Sequence, residues 1–261
     1  MEKKDTITTS YSLVIGWLYP DLMSIYGDRG NIICLQKRCE SRGIKAVIKN
    51  ISLQSPLSDL EGSDLLFMGG AQDSQQIIAS LDLLQEKRKV LTEMIESGIP
   101  GLYICGAYQL LGKYYEEASG TIIEGLGIFD LYTKNPGSNY KRLSGNISTK
   151  INQILFPDYG TMNYLVGFEN HGGRTYLGKN IQPLGKTIKG FGNNDTEKTE
   201  GAVYKNSIGS YLHGPILPKN PQLADFLIEK ALEKKYGKHP ELEKLDDTLS
   251  YQAHNSMLKH I

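Results

Sequence analysis

The chain has 261 residues, 39% of them hydrophobic and 22% charged, so it can bury a substantial core and does not have the composition of a disordered protein. Its 29 Lys and Arg residues balance its 29 Asp and Glu residues, and this zero net charge gives no reason to expect nucleic acid or an anionic membrane as a partner. Its three cysteines form no disulfide framework and no apolar run is long enough to span a membrane, so we expect a cytoplasmic globular protein.

The first 115 residues alternate β-type and α-type segments. The predicted segments are a strand at 11–18, a helix at 31–42, strands at 45–49 and 64–71, a long helix at 74–97 that is interrupted by charge near 85–89, and a strand that begins at Leu102. Repeated alternation of this kind predicts a doubly wound, mostly parallel sheet flanked by helices, so the predicted fold class is α/β.

Residues 101–112 are typical of a strand, a sharp turn and a helix, with Cys105 at the corner. The apolar run 102–104 predicts a buried strand and the small residues 105–107 predict the turn. Aromatic and aliphatic residues then recur at helical spacing, which predicts a helix through Tyr108, Leu111, Tyr114 and Tyr115. Such a corner presents a side chain at the carboxyl end of a strand, where open α/β sheets bind ligands. Taken alone, Cys105 is either a nucleophile or a packing residue.

Cys34 and Cys39 lie five residues apart in the helix predicted at 31–42. No Cys or His partner stands near them in the sequence, so they make no convincing metal site and we interpret them as packing residues.

The second half of the chain has a different character. Residues 120–201 are rich in Gly, Asn, Thr and Tyr, and they predict extra, mostly antiparallel strands with long surface loops. The β-type runs are 126–132, 142–147, 164–168 and 202–204, followed by a strand at 208–213 and an amphipathic helix at 222–235. We expect one domain at 1–237 and a polar tail at 238–261 that is either a helix docked on the domain or a segment that binds a partner.

Three predicted loops each follow a strand: Gly69-Gly70, Cys105-Gly106 and His213-Gly214. Strand ends of a parallel sheet can converge at its carboxyl edge. A cysteine, a histidine and exposed backbone N–H groups are what acyl transfer by a thiol requires. We therefore predict Cys105 as nucleophile, His213 as its base and acid, and the N–H groups of Gly70 and Gly106 as oxyanion donors.

The block Tyr103-Ile-Cys-Gly-Ala-Tyr-Gln-Leu-Leu-Gly112 resembles the nucleophile block of the class I glutamine amidotransferases. The blocks at 169–175 and 210–215 resemble those of its cobyric-acid-synthase-type (CobB/CobQ-like) branch. The combination of the blocks at 167–175, 190–195 and 211–220 resembles the GatD group of glutaminase subunits of lipid II isoglutaminyl synthase. The resemblance covers roughly residues 11 to 235 and implies the class I amidotransferase fold.

The resemblance also implies a function. Cys105 would attack the side-chain amide of L-glutamine, His213 would assist the departure of ammonia, and water would hydrolyse the glutamyl thioester. The ammonia would pass to a MurT-like ligase subunit in a heterodimer, which uses ATP to amidate the D-glutamate α-carboxyl of the lipid II stem peptide during peptidoglycan synthesis. This chain has no phosphate-binding loop of the Gly-x4-Gly-Lys-[Ser/Thr] type, so we expect no cofactor or metal in it and place ATP and Mg on the partner.

Two residues match substrate positions of the family. Arg142 would hold the α-carboxylate of glutamine, a task suited to the planar guanidinium fork, although a surface charge is the alternative. Gln109 would contact the substrate, and the alternative there is an exposed residue in the first turn of a helix.

The chain departs from the wider family around its catalytic residues. Tyr103 and Ala107 replace the family's glycines two residues before and two residues after the nucleophile, and Pro215 replaces the glutamate two residues after the histidine. We therefore predict a Cys–His dyad, with Asp28 as the candidate that orients His213; the alternative is that Asp28 caps the turn before Asn31.

His171 is a second candidate base, although its Gly-Gly context favours a structural role in its loop, where Glu169 would either orient it or contact the substrate amine. Three other functions remain open on the residues alone. They are a non-catalytic regulatory subunit with this fold, an ammonia donor for another acceptor such as a cobyrinate-type carboxylate, and a cysteine hydrolase of another superfamily.

Overall fold

A computed structural model describes residues 11–156, 163–237 and 241–261. The strands are β1 Ser12–Leu18, β2 Lys45–Ile51, β3 Leu65–Met68, β4 Gly101–Ile104, β5 Tyr114–Glu116, β6 Ile122–Glu124, β7 Leu131–Lys134, β8 Leu143–Ile151, β9 Tyr164–His171, β10 Arg174–Leu177, β11 Gly185–Lys189, β12 Thr199–Glu200, β13 Ala202–Tyr204 and β14 Ser207–Ser210. The helices are α1 Arg29–Glu40, α2 Leu57–Glu61, α3 Asp73–Asp82, α4 Arg88–Glu96, α5 Gly106–Leu111, α6 Pro221–Tyr236 and α7 Thr248–Lys259. None of the helices in this part of the chain is long and apolar enough to cross a membrane.

The central sheet has the strand order β13-β14-β4-β3-β1-β2. All neighbouring strands in it are parallel except β13, which pairs antiparallel with β14 at the edge. Every residue of β3 and β4 is buried, as expected for parallel strands that are covered on both faces. The predicted mostly parallel sheet is confirmed, and it makes β14, β4 and β3 immediate neighbours.

Two further sheets follow in the second half, and they confirm the predicted antiparallel strands. Their orders are β10-β7-β5-β6 and β12-β11-β8-β9, and all their pairs are antiparallel except that of β5 with β7. His213 joins the second of these sheets to the central one, because its backbone exchanges two hydrogen bonds with Phe168 in β9.

The predicted helix through Tyr114 and Tyr115 is wrong. Helix α5 ends at Leu111, and both tyrosines belong to β5. Their alternation suits a strand as well as their spacing suits a helix, and packing decides between the two. The ring of Tyr114 stacks on Tyr132 of β7 at 5.5 Å, and Tyr132 stacks on Tyr176 of β10 at 5.3 Å, so a ladder of aromatic rings holds this sheet together.

The run predicted as a strand at 126–132 enters β7 only at its last two residues, and β5, β6, β10, β11, β12 and α2 were not predicted. The interruption predicted near 85–89 is a single π-helical turn, Leu83–Lys87. At the end of this turn, the buried side chain of Lys87 forms an ion pair with Asp82 (Nζ–Oδ2 2.5 Å). The pairing matters because an unpaired charge would be costly to bury. Asp82 also accepts a 2.6 Å hydrogen bond from the Tyr19 hydroxyl, just after β1.

The tail helix α7 lies against the rest of the protein. Asp247, at its start, accepts a 2.5 Å hydrogen bond from Nη1 of Arg38 in α1, and Asp225 of α6 pairs with the same guanidinium. The imidazole of His254 is buried and its Nδ1 lies 2.9 Å from the Lys219 carbonyl. The boundary that we predicted at 237/238 falls at residues 238–240, outside the described residues.

Candidate active site

Cys105 occupies the sharp turn between β4 and α5. Its φ of +52° lies in a region that residues other than glycine adopt only under strain, and such strain is common at functional sites. Two backbone hydrogen bonds hold the turn: the Cys105 N–H donates to the Ser210 carbonyl (2.8 Å) and the Cys105 carbonyl accepts from the Gln109 N–H (3.0 Å). The strained corner therefore presents the thiol at the carboxyl end of a central strand.

The three predicted loops meet at this edge. A Cβ placed on Gly70, after β3, would lie 2.8 Å from Cε1 of His213 and 3.3 Å from Cβ of Cys105. A Cβ on Gly106 would collide with the amide of Gln76. Glycine at these two positions lets the loops approach, and the predicted convergence of the strand ends is confirmed.

His213 and Asp28 form a fully buried pair. Nδ1 of His213 lies 3.3 Å from Oδ1 of Asp28. Burial lowers the pKa of His213, but the negative charges of Cys105 and Asp28 outweigh it and raise that pKa to about 10. Nε2 of His213 has no hydrogen-bond partner among the described residues, so it stands open to the neighbouring thiol or to a substrate.

The alternative interpretation of Asp28 as a helix cap is wrong. Asp28 stands at the N-cap position of α1, but its side chain makes no capping hydrogen bond. One oxygen faces His213, and the other accepts a 2.7 Å hydrogen bond from the Gly70 N–H. The carboxylate is therefore fixed on one side and free to orient the imidazole on the other.

That hydrogen bond corrects the prediction for Gly70, whose N–H is committed to Asp28 and is not open to an oxyanion. A different amide takes its place at the same loop. The nitrogen of Ala71 lies 3.1 Å from the point where a Cβ on Gly106 would stand, and neither the Ala71 nor the Gly106 N–H donates a hydrogen bond within the described chain. These two N–H groups can stabilise a developing oxyanion beside Cys105. The sequence does not distinguish the N–H of Ala71 from that of Gly70 as the oxyanion donor, because the choice depends on the direction in which the Gly70 N–H points.

Gln109 is buried, so the alternative of an exposed helical residue is wrong. Its Oε1 accepts a hydrogen bond from Nε2 of Gln76 (2.9 Å), and its Nε2 donates to the Tyr211 hydroxyl (3.0 Å). The Tyr211 hydroxyl also lies 2.6 Å from the hydroxyl of Thr175. Gln109 is thus one member of a buried polar network beneath the cysteine turn.

Arg142 lies on the exposed side of the site, just before β8. Its Nε donates to Oδ1 of Asn170 (2.9 Å) and its Nη2 donates to the Asn170 carbonyl (3.0 Å). No hydrogen bond joins it to Cys105 or His213 in the part of the chain that the structure describes. Asn170 thus holds the guanidinium by two of its donors, and the others are available to a ligand.

His171 is held differently from His213. Its Nδ1 lies 2.8 Å from the Gly173 carbonyl, and its ring stacks on Tyr211 at 3.6 Å with an interplanar angle of 8°. Glu169, which lies 3.6 Å from Nε2, accepts hydrogen bonds from the Phe191 and Gly192 N–H groups (2.7 and 2.9 Å). Burial lowers the pKa of His171 in spite of Glu169. The contact with Gly173 and the stacking on Tyr211 favour the structural interpretation.

Glu200 was not singled out from the sequence, where no motif marks it. It is fully buried, and its Oε1 accepts hydrogen bonds from the Ser210 hydroxyl (2.7 Å) and the Tyr211 N–H (2.8 Å). Burial raises the pKa of this carboxyl to about 7. Glu200 therefore braces the segment that leads from β14 to His213.

The other two cysteines lie away from this site. Cys39 is buried and Cys34 half-buried, and both are free thiols. Burial raises the pKa of each to about 12, as expected for packing residues. No group of three or more His, Cys, Asp or Glu side chains among the described residues could hold a metal ion.

The family model of the CobB/CobQ-like glutamine amidotransferase domain matches residues 14–221. The chain belongs to this family. It is also 43% identical to "Lipid II isoglutaminyl synthase (glutamine-hydrolyzing) subunit GatD" of Staphylococcus aureus, over 93% of both chains. The corresponding subunit of Streptococcus pneumoniae is 43% identical over 93% of this chain and 89% of its own.

The solved structures agree with this assignment at the level of the fold. One described as a glutamine amidotransferase superposes with a TM-score of 0.57 at 15% identity and covers 83% of this chain and 98% of its own. The predicted class I amidotransferase-like fold is therefore confirmed. The family match and the two relatives show that the chain is a glutamine amidotransferase.

Proposed function

We propose that this chain is the glutamine-hydrolysing subunit of a lipid II isoglutaminyl synthase. It releases ammonia from L-glutamine and supplies it to a MurT-like, ATP-dependent ligase subunit, which amidates the D-glutamate α-carboxyl of the lipid II stem peptide to D-isoglutamine. The arrangement of Cys105, His213 and Asp28 at one sheet edge carries the proposal. The similarity over nearly the whole chain to two subunits of that name supports the choice of acceptor.

In the first half of the reaction, the thiolate of Cys105 attacks the side-chain carbonyl carbon of glutamine. A C–S bond forms, and the carbonyl oxygen becomes an oxyanion that the N–H groups of Gly106 and Ala71 stabilise. The intermediate then collapses, the C–N bond breaks, and Nε2 of His213 gives its proton to the leaving nitrogen, which departs as ammonia. Asp28 keeps the imidazole oriented through Nδ1 and favours its protonated form.

In the second half, the neutral His213 takes a proton from water, and the resulting oxygen nucleophile attacks the glutamyl thioester. A C–O bond forms, the C–S bond breaks, and Cys105 returns to its thiolate while His213 keeps the proton. Glutamate leaves, and the pair is ready for the next glutamine. The orienting carboxylate comes from Asp28 rather than from a residue that follows the histidine, so the site is a Cys–His pair with an acid from the loop after β1.

Substrate binding involves Arg142, which we assign to the α-carboxylate of glutamine because its guanidinium is exposed yet held in place by Asn170. Gln109 supports the site from below by fixing Tyr211 and Gln76. ATP and Mg belong to the ligase subunit in this proposal. We place the reaction in the cytoplasm, since all three cysteines are free thiols.

The test is glutamate release from glutamine by the complex of this chain with its ligase subunit, comparing the unsubstituted protein with Cys105→Ser. Cys34→Ser serves as the matched control, because that thiol is half-buried and lies in α1. We expect Cys105→Ser to lose glutamate release and Cys34→Ser to keep it. Equal release by all three proteins would refute the proposal and favour a non-catalytic subunit.

The acceptor is tested by amidation of lipid II in the same complex. With glutamine as the nitrogen source, we expect amidated lipid II only when Cys105 is present. With ammonium as the source, Cys105→Ser should support amidation as well as the unsubstituted chain does, because the ligase then needs no glutaminase. Glutamine hydrolysis without amidation of lipid II would leave the glutaminase activity in place and refute the acceptor.

A further inference from the structure

Tyr26 links the two ends of the active site. Its hydroxyl accepts a 2.7 Å hydrogen bond from Nδ2 of Asn170, the residue that holds Arg142 through its side-chain and backbone oxygens. Its ring meets the His213 ring edge-on, with 5.0 Å between centroids and an angle of 71°. A continuous set of contacts thus runs from the guanidinium through Asn170 and Tyr26 to the imidazole.

The amide of Asn170 can take only one orientation in this set. Its Oδ1 accepts from Nε of Arg142 and its Nδ2 donates to the Tyr26 hydroxyl, so a flipped amide would lose both hydrogen bonds. The Asn170 amide is therefore fixed between the guanidinium and the tyrosine hydroxyl.

The loop that carries Tyr26 is built to hold that ring in place. Tyr26 has a φ of +53° and Gly27 a φ of +81°, so two successive residues in the left-handed region make a tight turn that is unfavourable for a tyrosine. The loop is fixed on both sides of the turn, since Ile25 donates from its N–H to the Gly70 carbonyl (3.3 Å) and Asp28 binds the Gly70 N–H. Strain at Tyr26 persists because these contacts impose it.

Tyr26 also differs from the other groups around His213 in its exposure. It is 44% exposed, whereas His213 and Asp28 are fully buried. Its ring packs near Phe168 as well, at 6.4 Å between centroids. Tyr26 is therefore a partly exposed side chain that contacts both the residue holding Arg142 and the buried imidazole.

We infer that Tyr26 is a positioning residue for glutamine hydrolysis, whose hydroxyl holds Arg142 through Asn170 in the orientation that binds the substrate α-carboxylate while its ring packs on His213. The inference rests on the proposed role of Arg142 in binding glutamine. The hydroxyl contacts Asn170 and through it Arg142, whereas the ring contacts His213. A substitution can therefore remove the first contact and keep the second.

Tyr26→Phe removes only the hydroxyl and leaves the ring on His213. Because one hydrogen bond is lost at the substrate-binding end, we expect kcat/KM for glutamine to fall about 3- to 10-fold, through KM rather than kcat. Tyr164→Phe is the matched control, since it removes an exposed hydroxyl at the start of the strand that carries Asn170. It should change neither parameter.

Two alkylating agents separate positioning from a merely structural effect. A chloroketone analogue of glutamine carries the α-carboxylate, and iodoacetamide does not. We expect Tyr26→Phe to slow the reaction of Cys105 with the chloroketone by about the same factor as kcat/KM, and to leave its reaction with iodoacetamide unchanged. An equal loss with both reagents would overturn the inference, because the effect would then be on the cysteine turn itself.

A double-mutant cycle completes the test. Arg142→Ala should raise KM for glutamine, and adding Tyr26→Phe to it should cause no further loss, because the hydroxyl acts through the arginine. Losses that multiply, or no effect of Arg142→Ala on KM, would overturn the positioning role of Tyr26 while glutamine hydrolysis by Cys105 stays in place. Failure of the proposed function would look different, since glutamate release by the complex would then not depend on Cys105.

Discussion

The two buried histidines, His213 and His171, have similar carboxylate neighbours, but their pKa values are shifted in opposite directions. Each lies close to a buried carboxylate, His213 at 3.3 Å from Asp28 and His171 at 3.6 Å from Glu169. The pKa of His213 is nevertheless raised to about 10, whereas that of His171 is lowered. Proximity to an acid therefore does not identify the catalytic histidine.

The difference lies in the number of negative charges that face each ring. At His213, the negative charge of Cys105 raises the pKa most, and Asp28 adds to it through the oxygen that faces the imidazole. At His171, Glu169 and the Gly173 carbonyl also raise the pKa, but both oxygens of Glu169 accept hydrogen bonds from the N–H groups of residues 191 and 192, and burial outweighs these contributions. Two negative charges therefore outweigh burial at His213, and one does not at His171.

The largest effect should separate the two histidines directly. His213→Gln removes both the partner of the thiolate and the acid for the leaving nitrogen, so we expect kcat/KM for glutamine to fall by roughly a thousandfold. His171→Gln should lower it less than tenfold and act mainly on stability. Glutamate release by the complex, with urea unfolding of each variant, measures both. Similar losses of activity in the two variants would break the distinction.

Substitution of the acid beside His213 should cost more activity than substitution of the acid beside His171. Asp28→Asn removes the negative charge that orients His213, so we expect a loss of roughly a hundredfold or more in kcat. Without that charge the pKa of His213 falls, and the alkaline limb of the kcat/KM profile, where His213 loses its proton, should move to lower pH. Glu169→Gln is the matched substitution, and it should leave that limb in place. An unmoved limb in Asp28→Asn would show that Asp28 does not control the imidazole.

Glu200 provides a test through pH-dependent stability. Burial raises its pKa from the ordinary value of 4.5 to about 7, so between these values the folded protein holds a proton that the unfolded chain has released. Stability should therefore decrease as pH rises from about 4.5 to 7, by on the order of 2 kcal/mol from this group. Glu200→Gln should flatten that decrease in urea unfolding measured at pH 5 and pH 8. A slope that is the same in both proteins would contradict the shift.

The smallest effect concerns Tyr211, which stacks on His171 and precedes His213 by two residues. Tyr211→Phe keeps the ring but removes the hydroxyl shared by Gln109 and Thr175, so we expect a loss of about 1–2 kcal/mol in the free energy of unfolding and a change in kcat within threefold. A large loss of kcat at unchanged stability would place Tyr211 in the catalytic machinery and weaken the view that the His171 region is structural.

Local patterns were enough to predict the central sheet and the turn at Cys105. Buried apolar runs that end in small residues leave few alternatives, and the order of strands and helices then limits the fold. The same local reasoning fails where two periodicities fit one run, as at Tyr114 and Tyr115, whose position in a strand depends on aromatic partners far along the chain.

The site was predictable in its residues but not in its connections. Asp28 and His213 are 185 residues apart, and the local sequence around Asp28 equally favours a helix cap. Only the meeting of the loops decides that its carboxylate serves the imidazole and the Gly70 N–H. Buried charges such as Lys87 and Glu200 also go against the usual preference of these residue types for the surface, so no sequence pattern indicates them.

The most direct measurement of the central claim is the trapping of the covalent intermediate on Cys105. The complex is mixed with glutamine, quenched in acid after a single turnover, and digested for mass spectrometry. We expect a glutamyl adduct on the peptide that contains Cys105, absent in Cys105→Ser and strongly reduced in His213→Gln, with no adduct on Cys34 or Cys39. Glutamate release that continues without any adduct on Cys105, or that survives Cys105→Ser, would contradict the account.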